Sequence, residues 1–439
     1  MQRKHKILVV GGGGREHALA WRCATEGHEV LAAPGSDAIA TVARRFDIGV
    51  RDHEELVRLA VREGVDLVLI GPEQPLVEGL ADRCRLAGLA TFGPSAAAAE
   101  LEGSKAAAKA FMARHHIPTA AYRTVGTLDE GLVALQAFER PPVIKASGLA
   151  AGKGVVVCGS FAEAETALRE CLADHRFGAA GDTVVVEERL EGEEVSFFVV
   201  TDGRAAVTFP PVQDHKRLGD GDTGPNTGGM GAYLPAPVCS PQVHARIMEK
   251  IVEPTLSGLR LEGRPFCGVL FVGLMVDASG EPFVIEYNVR FGDPEAQALL
   301  LGLDEPLVPH LIAAANGGLT PGSLRAHASA VVVLASAGYP ASSTTGVPIE
   351  GLGEAQTGRD DVVVFHAGTR RENATWLTAG GRVLGVAAKA QSIQIALSRA
   401  YEGLAGLTLD GGQWRRDVGA QALQRLGESP INLHTSGQK

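Results

Sequence analysis

Short, wholly apolar runs alternate with longer amphipathic ones through the first hundred residues. "KILVV" (6–10), "EVLAA" (29–33), "DLVLIGP" (66–72) and "ATFGP" (90–94) read as strands, and "REHALAWRCATEG", "ELVRLAVREG" and "PLVEGLADRCRLAG" between them repeat apolar residues at helical spacing. Strands that are apolar on both faces and separated by helices predict a parallel sheet covered on both sides, a doubly wound α/β domain over residues 1–103. The alanine-rich run 95–116 then predicts two helices broken at Gly103, the second capped by Ser104 and ended before Pro118.

The pattern shortens from about 122 to 190, where "PPVIKAS", "GVVVCGS", the helix "FAEAETALRECLA" and "DTVVVEERL" predict a small α+β unit. An antiparallel block follows to about 300, containing "VSFFVVTDG" and "FCGVLFVGLMVDASGEPFVIEYN". Strands in 328–389 and a helix over 391–406 predict a last α+β domain. The expected division is therefore 1–103, 104–325 with a lid at about 122–190, 326–428, and a polar tail 429–439 that is expected to be disordered.

Within "FVIEYNVRFGDPE" (283–295), strand alternation places Glu286, Asn288 and Arg290 on one face and Ile285, Tyr287 and Val289 on the other, which reads as the core side. A solvated outer face would look the same. Two glycine-rich loops elsewhere favour a ligand-facing reading. "VVGGGGREHALA" sets Gly11 to Gly14 between the first strand and helix, where free amides and the helix dipole suit a phosphate. The dinucleotide fingerprint fails there, because the position of its third glycine holds Glu16 and the second strand ends at Pro34-Gly35 without an acid for a ribose. "VIKASGLAAGKGVVV" fails the spacing of a phosphate-binding strand-loop-helix, since a strand follows it. A hairpin tip with Lys145 at its entry and Gly148, Gly152, Lys153 and Gly154 around it can instead close over a triphosphate as a lid. Beside such a lid, Glu187, Glu188 and Glu194 can accept from an adenine amino group and ribose hydroxyls, and Glu286 with Asn288 offers hard oxygen ligands for Mg²⁺. Arg290 can then clamp a carboxylate or phosphate.

Composition narrows the partners. A net charge of -10 opposes binding to a phosphate backbone, so nucleic acid is not expected. No run approaches 18 uncharged apolar residues, so no membrane span is expected. Six scattered cysteines without a CxxC pair fit reduced thiols and a cytoplasmic location.

Taken together, "GGREHALAW", "GPEQPLVEGL", "LEGSKAAAKAFMARHHIPTA", "GLAAGKGV", "EERLEGEEVSF", "QDHKRLGDGDTGPNTGGMGAY", "EYNVRFGDPE" and "VFHAGT" resemble the glycinamide ribonucleotide synthetases, the phosphoribosylamine-glycine ligases of the ATP-grasp superfamily. The resemblance runs in order from residue 6 to about 420. It implies a doubly wound N-terminal domain, ATP-grasp central domains and a small α+β C-terminal domain. The implied reaction joins glycine to 5-phosphoribosylamine in purine biosynthesis, with ATP becoming ADP and phosphate through glycyl phosphate.

The same resemblance implies ATP contacts for Lys105, Lys145, Ser147, Gly148, Gly152, Lys153, Gly154, Glu187 and Glu194, and Mg²⁺ (or Mn²⁺) at Glu286 and Asn288. Arg290, Asp214, His215 and Lys216 are implied to face substrate, with Arg290, Lys145 and Asp214 in catalysis. Gly13, Gly14, Arg15, Pro72 and Glu73 are implied on the phosphoribosylamine side, and a monomer is the family expectation. The chain departs from the family at Ser147, where Asp is usual, and at Gly12, where Asn or Ser is usual. A nucleotide sensor without turnover is the rival reading, against which the retained Glu286, Asn288, Arg290 and loop lysines speak. An NAD-dependent oxidoreductase is disfavoured by the failed fingerprint.

Overall fold

The computed structural model describes residues 3–150, 154–353, 361–429 and 431. The predicted loop residues Gly152 and Lys153, and most of the predicted tail, lie outside the described residues.

The first sheet is parallel throughout. Strands β1 (Lys6–Gly11), β2 (Glu29–Pro34), β3 (Arg44–Arg45), β4 (Leu67–Ile70) and β5 (Thr91–Phe92) lie in the order β3-β2-β1-β4-β5. Helices α1 (Gly14–Thr25), α2 (His53–Glu63), α3 (Glu73–Val77) and α4 (Leu80–Leu86) cover it. The run "PLVEGLADRCRLAG", expected as one helix, is split because Gly79 adopts φ +86 and ends one helix as it opens the next. Helices α5 (Ala96–Gly103) and α6 (Lys105–Arg114) meet as the sequence predicts, with Ser104 Oγ accepting from the Ala107 amide.

A four-stranded antiparallel sheet follows, β6 (Tyr122–Val125), β7 (Val143–Ala146), β8 (Val155–Val157) and β9 (Val184–Glu187), in the order β6-β9-β7-β8. Helices α7 (Leu128–Leu135) and α8 (Phe161–Leu172) back it around a core of its own that includes Ile144, Leu168 and Val186. The chain continues through β10 (Glu193–Thr201), β11 (Ala206–Thr208), β12 (Gln213–Asp214), β13 (Arg217–Gly219), β14 (Thr223–Asn226) and β15 (Gly231–Leu234). Helices α9 (Pro241–Ile247) and α10 (Glu253–Leu261), then β16 (Gly268–Val276) and β17 (Pro282–Asn288), complete this part. Helices α11 (Glu295–Gly302) and α12 (Val308–Ala315) lead to β18 (Gly322–Ser323) and a central sheet ordered β17-β16-β10-β11-β18. Two apolar cores each run without a break from the first sheet into this central one, so neither sheet is an isolated layer.

The last strands are β19 (Ala328–Ala335), β20 (Pro348–Glu350), β21 (Val362–His366), β22 (Thr369–Glu372), β23 (Thr375–Thr378) and β24 (Arg382–Ala390). Their main sheet is ordered β12-β15-β19-β24-β21, so it takes two strands from the 213–234 segment of the middle of the chain. That sharing fixes the segment "QDHKRLGDGDTGPN" against the C-terminal region.

One feature of β17 differs from simple alternation. Gly273 of β16 pairs with Glu286, but its neighbour Leu274 pairs with Val284, leaving Ile285 as an extra residue in a bulge. The bulge changes the parity: Val284, Tyr287 and Val289 enter the core, whereas Ile285, expected there, is half-buried and lines the large cleft. Glu286, Asn288 and Arg290 line the same cleft.

Two histidines join α1 to β21. His17 Nδ1 accepts from the His366 backbone amide at 2.9 Å, and the two rings lie 5.8 Å apart. Burial pushes His17 down to about 4, and it pushes His366 down to about 3 with the neighbouring His17 adding to the effect. Both are neutral in the folded state at pH 7, and the unfolded chain takes up protons first as pH falls through about 6.5. Stability should thus be full above pH 6.5 and fall toward pH 4 by up to about 1.4 kcal/mol per pH unit for each histidine. Denaturant unfolding of His17→Asn, which keeps an acceptor near the Nδ1 position, should show a shallower slope over that window than the parent chain.

Candidate active site

A cleft of about 1290 Å³ lies between the β6–β9 sheet, the central sheet, the first domain and the C-terminal region. Its floor is β17. A Cβ built on Gly273 would lie 3.2 Å from Glu286 Cγ, so glycine across the ladder leaves room for that side chain. Burial pushes the Glu286 carboxyl up, but Lys216, Lys145, Lys105 and Arg290 outweigh it and hold the group below the usual carboxylate range, ionised at neutral pH. Asn288 is buried with its amide nitrogen unpaired, and since amide orientation is assigned from hydrogen bonding, the same position can present oxygen. An ionised carboxylate and a free amide oxygen on one strand face fit a hard divalent cation that takes its other ligands from phosphates and water.

Cations gather above this floor. Lys145, at the end of β7, is 4% exposed, pairs with Glu187 and donates to the Ile285 carbonyl at 3.2 Å, a group that the bulge presents. Glu187 is buried and also pairs with Lys109 at 2.6 Å, so it holds two ammonium groups of the cleft wall. Lys105 opens α6 and faces Glu286; burial lowers its pKa, which Glu286 opposes. Gly154 and Glu194 line the same space, and burial raises the Glu194 carboxyl although Lys216 pulls it down.

Farther along, Lys216 lies 3.4 Å from Asp214, and Asp214, Glu194, Glu286 and Glu295 together hold it charged against burial. Burial, with Asp214 adding to it, pushes Glu295 up to about 7, and one of its oxygens accepts from the Ser196 hydroxyl at 3.2 Å. Arg290 pairs with Glu102 at 2.9 Å and Glu73 at 3.3 Å, tying the floor to α5 and α3. Glu102 in turn accepts from the Val289 amide at 2.7 Å. Arg15 lines the cleft while pairing with Glu16 at 2.6 Å.

The geometry sets other expected residues apart. Gly13, Gly14 and Pro72 do not line the cleft; the Gly13 amide donates to Glu16 at 2.8 Å, and Gly14 abuts Gln297. Ser147 and Gly148 also lie behind the wall. Ser147 Oγ accepts from the Ala106 amide at 3.1 Å and lies 3.2 Å from Ser104 Oγ, so it serves as a second cap on α6 from another strand. His215 lines the cleft, yet its Nε2 accepts from the Gly419 amide at 2.9 Å, turning the ring toward the C-terminal region. Sequence reasoning missed Lys109, Glu102 and Glu295. Lys109 follows Lys105 by one helical turn and Glu102 precedes it by three residues, a spacing that could have drawn attention to both.

Comparison with known proteins gives this arrangement a family. Phosphoribosylglycinamide synthetase models match in order: the N domain over residues 5–102, the ATP-grasp (A) domain over 103–296 and the C domain over 329–421. The chain belongs to that family. A phosphoribosylamine–glycine ligase of Xanthomonas axonopodis pv. citri is 51% identical over 431 residues, covering 96% of this chain and 98% of that protein. The ligase of Salmonella typhimurium is 47% identical over 427 residues, covering 96% and 99%. The crystal structure of phosphoribosylamine–glycine ligase from Thermotoga maritima superposes with a TM-score of 0.83 at 32% identity, over 94% of this chain and 99% of that one. A biotin carboxylase domain from Hydrogenobacter thermophilus, at 18% identity and TM-score 0.72, shares the fold over 94% of this chain and 92% of its own. The architecture is thus the N, ATP-grasp and C arrangement of the family, and the chain is an ATP-grasp ligase with ATP as co-substrate.

The position of Ser147 makes its departure from the family testable. A carboxylate at the N-terminus of α6 suits the helix dipole, so Ser147→Asp should leave the KM for ATP within about twofold and melt no lower than the parent. Ser147→Ala removes the acceptor for Ala106 N–H and should cost about 1 kcal/mol in denaturant unfolding.

Proposed function

We propose that this cleft joins glycine to 5-phosphoribosylamine, with ATP giving ADP and phosphate through glycyl phosphate. The observation that carries the reading is that a single cleft brings the lysines of α6 and β7 over the Glu286–Asn288 floor, with Arg15 and Glu73 of the first domain lining the same space. A carboxylate is a poor electrophile, and phosphorylating it supplies a leaving group. Lys105 and Lys145 neutralise the triphosphate beside Glu286, and Arg290 orients the glycine carboxylate while Glu73 and Glu102 hold its guanidinium in place. Lys216 and Asp214 form the substrate-facing side beyond that floor. Glu286 and Asn288 would hold Mg²⁺ or Mn²⁺, which neutralises phosphate charge during transfer.

Residues Gly13, Gly14 and Arg15, with Pro72 and Glu73, remain our assignment for the phosphoribosylamine side; of these Arg15 and Glu73 line the cleft, and Gly13, Gly14 and Pro72 are their chain neighbours. The separate core of the β6–β9 sheet supports its action as a lid. We further propose a cytoplasmic monomer that binds no nucleic acid; among the described residues no helix is long and apolar enough to cross a membrane.

ADP formation that requires both glycine and freshly made phosphoribosylamine tests the reaction, and ATP binding without turnover would favour a sensor. Glu286→Gln keeps the shape but removes the ligand charge, so kcat should fall more than about tenfold and Mn²⁺ binding with ADP, read by electron paramagnetic resonance, should weaken. Unchanged Mn²⁺ affinity would place the metal elsewhere.

A further inference from the structure

The segment between β12 and β14 forms one wall of the cleft, with Lys216, Arg217, Asp222 and Asn226 lining it. Within the segment β13 and β14 make a two-stranded ribbon with an irregular register, tied locally by Arg217 donating to the Gly224 carbonyl and Thr227 to the Lys216 carbonyl, each at 2.8 Å. Further supports come from about two hundred residues later. Arg415, whose side chain is 1% exposed, makes a two-pronged pair with Asp417 at 2.7 Å on each prong and reaches Asp222 with its remaining nitrogen. Asp417 also accepts from the Gly221 amide at 2.8 Å, and Asp220 accepts from the Arg416 amide at 2.7 Å. Gln421 donates to Asp222 at 3.2 Å, and the Gly419 amide donates to His215 at 2.9 Å.

We propose that Arg415 is a positioning residue for the ligase reaction, acting through Asp222 and the 215–226 wall to fix Lys216 and Asp214 for the glycine and amine substrates. This rests on the reading above that Asp214 and Lys216 face those substrates. The physical basis is the geometry of the guanidinium. A bidentate pair to Asp417 occupies two nitrogens on the neighbouring stretch of chain and fixes the plane of the group, so the third nitrogen is aimed at the 215–226 wall, where it donates to Asp222 and, at 3.4 Å, to the Arg217 carbonyl. The partner Asp222 is partly exposed, so the pair contributes aim more than stability. Lys145, Lys105 and the β6–β9 sheet take no part in these contacts.

Steady-state kinetics of Arg415→Ala, Arg415→Lys, Asp222→Asn and the Arg415→Ala/Asp222→Asn double variant test the inference, with Lys216→Ala as the control for the underlying reading. Arg415→Ala and Asp222→Asn should each raise KM for glycine or phosphoribosylamine about three- to tenfold while KM for ATP stays within about twofold. The double variant should be no worse than the poorer single one, and Arg415→Lys should recover part of the loss. Asp222→Asn alters a partly exposed carboxylate, so it reports even where Arg415→Ala unfolds. An equal rise in KM for ATP, or a double variant whose loss is the product of the two, overturns the positioning role. If Lys216→Ala itself raises only the KM for ATP, the substrate-facing reading has failed; if Lys216→Ala affects glycine or the amine while Asp222→Asn changes nothing, the positioning role of Arg415 alone has failed.

Discussion

The arrangement depends on the ion pairs that hold Arg290 between Glu102 and Glu73. A guanidinium buried at the end of β17 is tolerable only with carboxylates against it, and those carboxylates come from α5 and α3, on the first-domain side of the cleft. Removing Arg290 would leave Glu102 and Glu73 as like charges without their shared partner. The pair therefore works as a register mark, setting the active strand against the first domain, and Glu102 extends it by accepting from the Val289 amide.

The same logic of balanced burial runs along the cleft. Lys109 and Lys145 share Glu187, and Lys216 sits among four carboxylates. Positive charge is in excess at the α6 and β7 end, where Lys105, Lys109 and Lys145 line the wall with Glu187, and it suits a triphosphate; at the Asp214 and Glu295 end carboxylates alternate with Lys216, Arg217 and Arg382. Ionised Glu286 lies between the two ends.

Local patterns in the chain were enough to read the parallel first sheet, the Gly103 break with its Ser104 cap, the small α+β unit of the β6–β9 sheet and the face carrying Glu286, Asn288 and Arg290. What they could not contain was information held by a partner strand or a distant segment. Ile285 was expected in the core because alternation was counted through it, and the bulge that displaces it is defined by pairing with Gly273 and Leu274. Ser147 reads as a loop residue in sequence, but its hydroxyl is claimed by the amide of Ala106 on another element. The split at Gly79 depends on a positive φ that a helical pattern conceals. His215 looked like a substrate contact beside Asp214 and Lys216, and its tie to Gly419 joins positions 204 apart.

The central claim is that the β17 face is where phosphate passes to the carboxylate of glycine, before the amine attacks. Turnover with glycine labelled by ¹⁸O in its carboxyl group, followed by mass spectrometry of the released phosphate, tests it most directly. Transfer through glycyl phosphate moves one labelled oxygen into each phosphate formed. Phosphate released without label during coupled synthesis would show that the carboxylate is never phosphorylated, and would contradict the account.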